Sequence, residues 1–185
     1  MTDQELKVTI ENSIISIWLT DIQADYQNRW LLKEDTLKNA LYFHLRSKLG
    51  ELFEAHNIRI YTEFTDCEFK RSGFRPDMVI AKIDPEKDVS YWGDAVTECL
   101  AVLELKYKSG YTASQDIYED FSKLHSYIED LAIDCKLFMA TIWEYEDDET
   151  SWMGNDCDWA NGKVTELNAS LAKADGKPQF YVIEH

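Results

Sequence analysis

An apolar strand, an amphipathic helix and a second apolar strand follow one another between Leu100 and Trp143, and this order constrains the fold more than any other feature of the chain. Leu100-Ala-Val-Leu-Glu-Leu-Lys-Tyr107 is apolar enough to be buried on both faces of a sheet. Thr112-x-x-Gln115 has the spacing of a helix capping box. Behind it Ile117, Phe121, Leu124, Ile128 and Leu131 recur at spacings of four and three, the period of one helical face. Lys136 to Trp143 reads as another buried strand. Two strands joined through a helix lie parallel, by a right-handed crossover, so the chain belongs to the α/β class.

The flanking segments extend this unit. Ile58 to Thr65 alternates apolar and polar residues, and Met78 to Ile83 forms a further strand after Gly73-Phe-Arg-Pro76. Asp84-Pro-Glu-Lys-Asp88 opens a loop, after which the Leu100 strand returns antiparallel. Leu6, Ile10, Ile14, Trp18 and Ile22 stand four apart, and Thr2-x-x-Glu5 suits the start of a helix. The β-branched content from Val8 to Ile17 makes a strand the competing reading. Trp30 to Phe53 is a second helix, with Glu34 and Asp35 at its positive end. In the tail we expect a helix over Val164–Ala174, a turn at Gly176-Lys-Pro178 and a strand over Gln179–Ile183. Trp18, Trp30 and Trp143 read as core; Trp92, Trp152 and Trp159 read as covers over a core edge.

The expected architecture is one domain over 1–185, a mixed central sheet flanked by helices. Residues 1–29 form a helical extension, 30–143 the core, and 144–185 an acidic loop with a C-terminal α/β addition. A hydrophobic content of 45% supports a folded core. No apolar run approaches the roughly 20 residues that span a bilayer, and Met1 to Glu5 lacks the basic start of a signal peptide. The expectation is a cytoplasmic protein with no membrane partner. Cys67, Cys99, Cys135 and Cys157 form no CxxC pair, which favours free thiols over a zinc site.

Three residues concentrate the chemistry. Asp77 opens a strand; Glu104 and Lys106 lie two apart on the next, so alternation puts both on one face. An antiparallel hairpin brings the start of the first strand beside the end of the second, where Asp77 meets Glu104 and Lys106. Two carboxylates and an ammonium suit metal-assisted hydrolysis, because hard cations take oxygen ligands and a lysine steadies developing negative charge. Two carboxylates crowded without a cation repel, so Asp77→Asn is expected to raise metal-free stability.

Arg75-Pro76-Asp77 followed by Glu104-Leu105-Lys106 in an apolar strand resembles the PD-(D/E)XK, or restriction-endonuclease-like, nuclease superfamily. The resemblance covers roughly residues 30–143 and implies that family's αβββαβ core. It implies Asp77 and Glu104 as ligands of Mg²⁺ or Mn²⁺, and Lys106 as the group that assists the attacking water. It adds Glu34 from the first helix, with Asp35 as an alternative, Glu63 from the first strand, and Gln115 beyond the lysine. The function implied is hydrolysis of phosphodiester bonds in DNA.

Charge complicates that function. The net charge is −16, with 12 basic and 16 acidic side chains in residues 1–90, against 7 and 19 in residues 91–185. Five of the six residues from Glu144 to Glu149 are acidic. A DNA contact therefore has to use the local cluster of Lys70, Arg71, Arg75 and Lys108, with help from a protein partner or from oligomerisation. The alternative is a nuclease-fold module that regulates or binds a partner without cleaving.

Overall fold

The computed structural model describes residues 1–108, 114–146, 151–153, 157–171 and 178–185, without the side chains of Arg71, Ser114, Gln115, Asp116, Tyr145, Glu146 and Leu171. Gln115, Arg71 and the Thr112 cap, as side chains, therefore lie outside the described residues. Among the described residues the strands β1 (Ile58–Thr62), β2 (Met78–Ile83), β3 (Val96–Lys108), β4 (Lys136–Glu146), β5 (Val164–Leu171) and β6 (Pro178–Glu184) form one sheet in the order of the sequence. The pairs β1/β2, β2/β3 and β5/β6 are antiparallel; β3/β4 and β4/β5 are parallel. The helix α4 (Ser114–Glu129) joins β3 to β4, as strand–helix–strand order requires. The fold is α/β, with a mixed six-stranded sheet between helices.

Helices α1 (Asp3–Ile17) and α3 (Glu34–Ala55) cover one face of the sheet. Their Leu6, Ile10, Ile14, Leu37, Leu41 and Leu45 meet Leu103, Leu105, Phe138 and Ala140 in a core from which water is excluded. On the other face α4 lays Ile117, Phe121, Leu124 and Tyr127 on Val79, Val102 and Met139. Each fully buried leucine or isoleucine is worth about 1.5–3 kcal/mol, and burial on both faces explains why β3 reads as one apolar run.

The N-terminal segment is helical despite its β-branched residues. The Thr2 hydroxyl accepts from Glu5 N and the Glu5 carboxylate accepts from Thr2 N, so the capping box forms. Tertiary packing of Leu6, Ile10, Ile14 and Ile17 overrides the intrinsic preference. A π-helical turn over Trp18–Ile22 then leads into α2 (Gln23–Gln27), and the Trp18 indole donates to the Asn168 carbonyl of β5 at 3.3 Å. Leu6, Ile10, Ile14, Ile17, Trp18 and Ile22 of the N-terminal segment thus belong to the hydrophobic core.

Three expectations need correction. Helix α3 begins at Glu34 and not at Trp30, because the Thr36 hydroxyl turns back to accept from Leu32 N and Lys33 N and fixes the first turn there. Trp30, expected in the core, is 74% exposed; it follows Arg29, whose φ of +62° swings the chain outward. Val164–Leu171, expected as a helix, is strand β5. It lies between β4 and β6 with Val164 to Ser170 all buried, so its Thr165, Glu166, Asn168 and Ser170 do not mark a solvent face. Cys67, Cys99, Cys135 and Cys157, all among the described residues, form no disulfide. Among the described residues no helix is long and apolar enough to cross a membrane.

Candidate active site

The antiparallel register brings three carboxylates to one end of the sheet. Thr62 pairs with Met78, and Met78 pairs with Leu103. One step further along, Glu63 donates its N–H to the Asp77 carbonyl at 3.1 Å. Continued by that step, the same register sets Asp77 beside Glu104. Glu63 leaves β1 with φ of +52°, a left-handed conformation unusual for a residue with a Cβ, and it turns the chain at this point.

Asp77 is held from both sides. Its Oδ2 accepts from Leu105 N at 2.9 Å, the amide between Glu104 and Lys106, and its Oδ1 pairs with Lys38 Nζ at 2.8 Å. The Lys38 ammonium also bonds Glu63 Oε1, whose second oxygen pairs with Arg75 Nε at 2.8 Å. Lys38 stands one helical turn after Glu34, on the inner side of α3. Burial works against its charge, but Asp77 and Glu63 outweigh burial and hold its pKa above the ordinary lysine value.

Glu104 points the other way across the site, under α4. It is 1% exposed, and its Oε1 accepts from the Tyr127 hydroxyl at 2.5 Å. Burial first, and then the charge of Asp77, push its pKa well above the usual carboxylate range; Tyr127 and Lys123 pull it partly back. Lys106 Nζ reaches Asp120 Oδ2 at 2.9 Å and Glu34 Oε2 at 3.4 Å. Burial opposes its charge too, but the two carboxylates hold its pKa above the ordinary value. Burial raises the pKa of Glu34, an effect that Lys106 partly offsets. Asp120, buried at 2% exposure, takes Lys123 Nζ on its other oxygen at 2.5 Å.

Of the sequence candidates, Glu34, Glu63, Arg75, Asp77, Glu104 and Lys106 therefore join a network of three bonded groups, Glu63, Asp77 and Arg75 around Lys38, Glu34 and Lys106 with Asp120, and Glu104 with Tyr127, which act on one another through their charges. Lys70 lies apart, paired with Asp94 at 3.0 Å. Lys108 is 5% exposed, with its Nζ 3.3 Å from the centroid of the Trp143 ring. Lys38, Asp120, Lys123 and Tyr127 belong to the network without having been singled out. A signal for them does exist. Lys38 stands three and seven residues before Leu41 and Leu45, inside the apolar stripe of its helix. Asp120, Lys123 and Tyr127 are spaced three and four apart beside the stripe of Phe121, Leu124 and Ile128.

Next to the network opens a cleft of about 460 Å³, lined by Thr65, Phe69, Lys70, Gly73, Phe74, Arg75 and Lys123. Among the described residues three cations and no carboxylate line it. Phe69 and Phe74 pack edge-on to Tyr127, 5.1 and 5.4 Å between centroids, so the same tyrosine that bonds Glu104 backs the cleft wall.

For a divalent cation the donor chemistry is suitable: the acceptors are carboxylate oxygens, the ligands that Mg²⁺ and Mn²⁺ take. Lys38 is the cationic partner of Asp77 in the structure, and it shares Glu63 with Arg75. Among the described residues no three His, Cys, Asp or Glu side chains are grouped to hold a metal ion as they stand. No family model, curated protein or solved structure matches the chain.

Proposed function

We propose that the chain is a metal-dependent nuclease of the PD-(D/E)XK type that hydrolyses phosphodiester bonds in DNA. The single observation that carries the reading is the meeting of Asp77 with the Glu104–Lys106 strand beside a cleft whose described lining is cationic, neutral and aromatic. The order α3-β1-β2-β3-α4-β4 supports it, because it is the αβββαβ order of the core that the resemblance implies.

In this reading Asp77 and Glu104 hold Mg²⁺ or Mn²⁺, which supplies Lewis-acid polarisation of a phosphoryl oxygen and acidifies a water. Lys106, fixed by Asp120 and Glu34, keeps a positive charge beside the reacting group and steadies charge as it develops there. Lys70, Arg75 and Lys123 line the cleft and bind the phosphates flanking the scissile one. Lys108, buried against Trp143, is left out of this contact.

The test is cleavage of a supercoiled plasmid in Mg²⁺ or Mn²⁺ by wild type and by Lys106→Ala. Cleavage should fall by about 10²-fold or more in the variant, the usual effect of removing one charge-stabilising group. Equal cleavage by both proteins would remove Lys106 from the reaction. A second reading, a nuclease-fold module that binds a protein partner without cleaving, is favoured by the net charge of −16 and by the ammonium already seated on Asp77. Absence of cleavage in either metal would move that reading ahead.

A further inference from the structure

Lys38 satisfies the site in a way that bears on how metal reaches it. The four carboxylate oxygens of Asp77 and Glu63 are all engaged: two by Lys38, one by the Leu105 amide and one by Arg75. A cation that binds Asp77 through Oδ1 has to take the place of the Lys38 ammonium. The lysine side chain is only 11% exposed, so most of its hydration is replaced by the two carboxylates. Its four-carbon stem is flexible, and its ammonium is a compact, strongly hydrated charge that is easily satisfied once it reaches solvent. An arginine in this place would grip both carboxylates through a rigid fork and would be harder to move.

We propose that Lys38 is a built-in cation that balances Asp77 and Glu63 in the ion-free protein and competes with the divalent metal for Asp77, so that metal entry expels its ammonium. The competition rests on the metal-dependent reading above. It makes Lys38 a positioning residue that sets the metal concentration at which the site becomes complete. Glu34, one turn earlier on the same helix, stays with Lys106, so the exchange leaves the Lys106 side of the site in place.

The experiment compares wild type, Lys38→Gln and Lys38→Arg, using Mn²⁺ as the probe. Mn²⁺ binding is measured by titration calorimetry, and melting temperature is measured in EDTA and in saturating Mn²⁺. Lys38→Gln should bind Mn²⁺ about tenfold or more tightly than wild type, a typical size for a residue bonded to a metal ligand. The same variant should melt below wild type in EDTA and recover most of that loss in Mn²⁺. Lys38→Arg should bind Mn²⁺ no better than wild type. A Lys38→Gln affinity equal to or weaker than wild type overturns the competition. If wild type still cleaves DNA in that case, the nuclease reading survives and only the role of Lys38 fails. If neither protein binds Mn²⁺, both fail together.

A second measurement needs no variant. Acetylation of wild-type lysines, read by mass spectrometry against the exposed Lys33 and Lys48, should leave Lys38 protected in EDTA and label it in Mn²⁺. Protection that Mn²⁺ leaves unchanged overturns the proposal.

Discussion

Asp77 divides its two oxygens between a backbone amide and an ammonium, and this decides the sign of its most informative substitution. Crowded carboxylates alone predict that Asp77→Asn stabilises the metal-free protein. With Lys38 paired to Asp77 the outcome reverses, because the asparagine keeps a bond to Leu105 N but leaves the lysine with only Glu63. Breaking a buried pair on one side costs about 3–5 kcal/mol. Both groups keep some exposure, so the lower end of that range is expected, read as a lower melting temperature in EDTA. A rise in melting temperature would mean that Lys38 does not hold Asp77. Glu104 makes the complementary case. Its pKa is higher in the folded chain than in the unfolded one, so between the two values the folded state carries the extra proton. Stability then falls as pH rises through that window. Glu104→Gln mimics the protonated form and should lose this fall. It should match wild type at low pH and gain on it as pH rises through the window, by about 1.4 kcal/mol for each pH unit crossed. A difference between the two proteins that stays constant with pH would contradict it. Asp77, Glu104 and Lys106 were legible in the sequence because strand alternation fixes their faces. Lys38 was not, because a lysine inside an apolar stripe has meaning only once its carboxylates, 25 and 39 positions away, are known to lie beside it.

Helix α4 carries both the back wall of the cleft and three of the network's side chains. Its inner face was readable as an amphipathic stripe. The polar row of Asp120, Lys123 and Tyr127 beside that stripe takes its role from the strand below, which periodicity does not reveal. Tyr127→Phe tests the row: the ring keeps its contacts with Phe69 and Phe74 while Glu104 loses its donor. Leaving a buried acceptor unpaired costs about 1–3 kcal/mol, measurable by urea unfolding. Unchanged stability would show that the Tyr127 hydroxyl contributes nothing to Glu104. Strand β5 shows the opposite limit of the sequence. Glu166 is fully buried and takes bonds from Ser151 Oγ, Trp152 N, Asn168 Nδ2 and the His185 ring, so its polarity reflects an interior network. Polar residues at strand positions, satisfied by groups distant in sequence, erase the alternation that identifies a strand.

For the molecule as a whole, a net charge of −16 and a cleft of three cations oppose each other. Long-range repulsion weakens any encounter with DNA, and the cleft has to supply the grip within a Debye length, about 10 Å at 0.1 M salt. Binding should therefore be weak and should involve few phosphates. In fluorescence anisotropy with Ca²⁺ in place of the catalytic metal, Lys70→Ala and Arg75→Ala should each lower the log–log salt slope by about one. The loss should be alike for different DNA sequences, since phosphate contacts carry no base information. Variants that match wild type at every salt concentration would place the DNA surface elsewhere.

The sheet order has a consequence for how the chain comes off a ribosome. Because strand order equals sequence order, each new strand emerges next to the edge it will join, and none has to be inserted between two strands already paired. Synthesis runs at about 5–20 residues per second, so the wait at each edge is a few seconds. Every residue of the network has been made once Tyr127 is out, and the parallel edge of β3 then lacks only β4, which follows α4 within a few residues. Strands β5 and β6 come last and close the far edge. The nascent protein therefore completes the end of the sheet that holds Asp77, Glu104 and Lys106 before its β5–β6 edge.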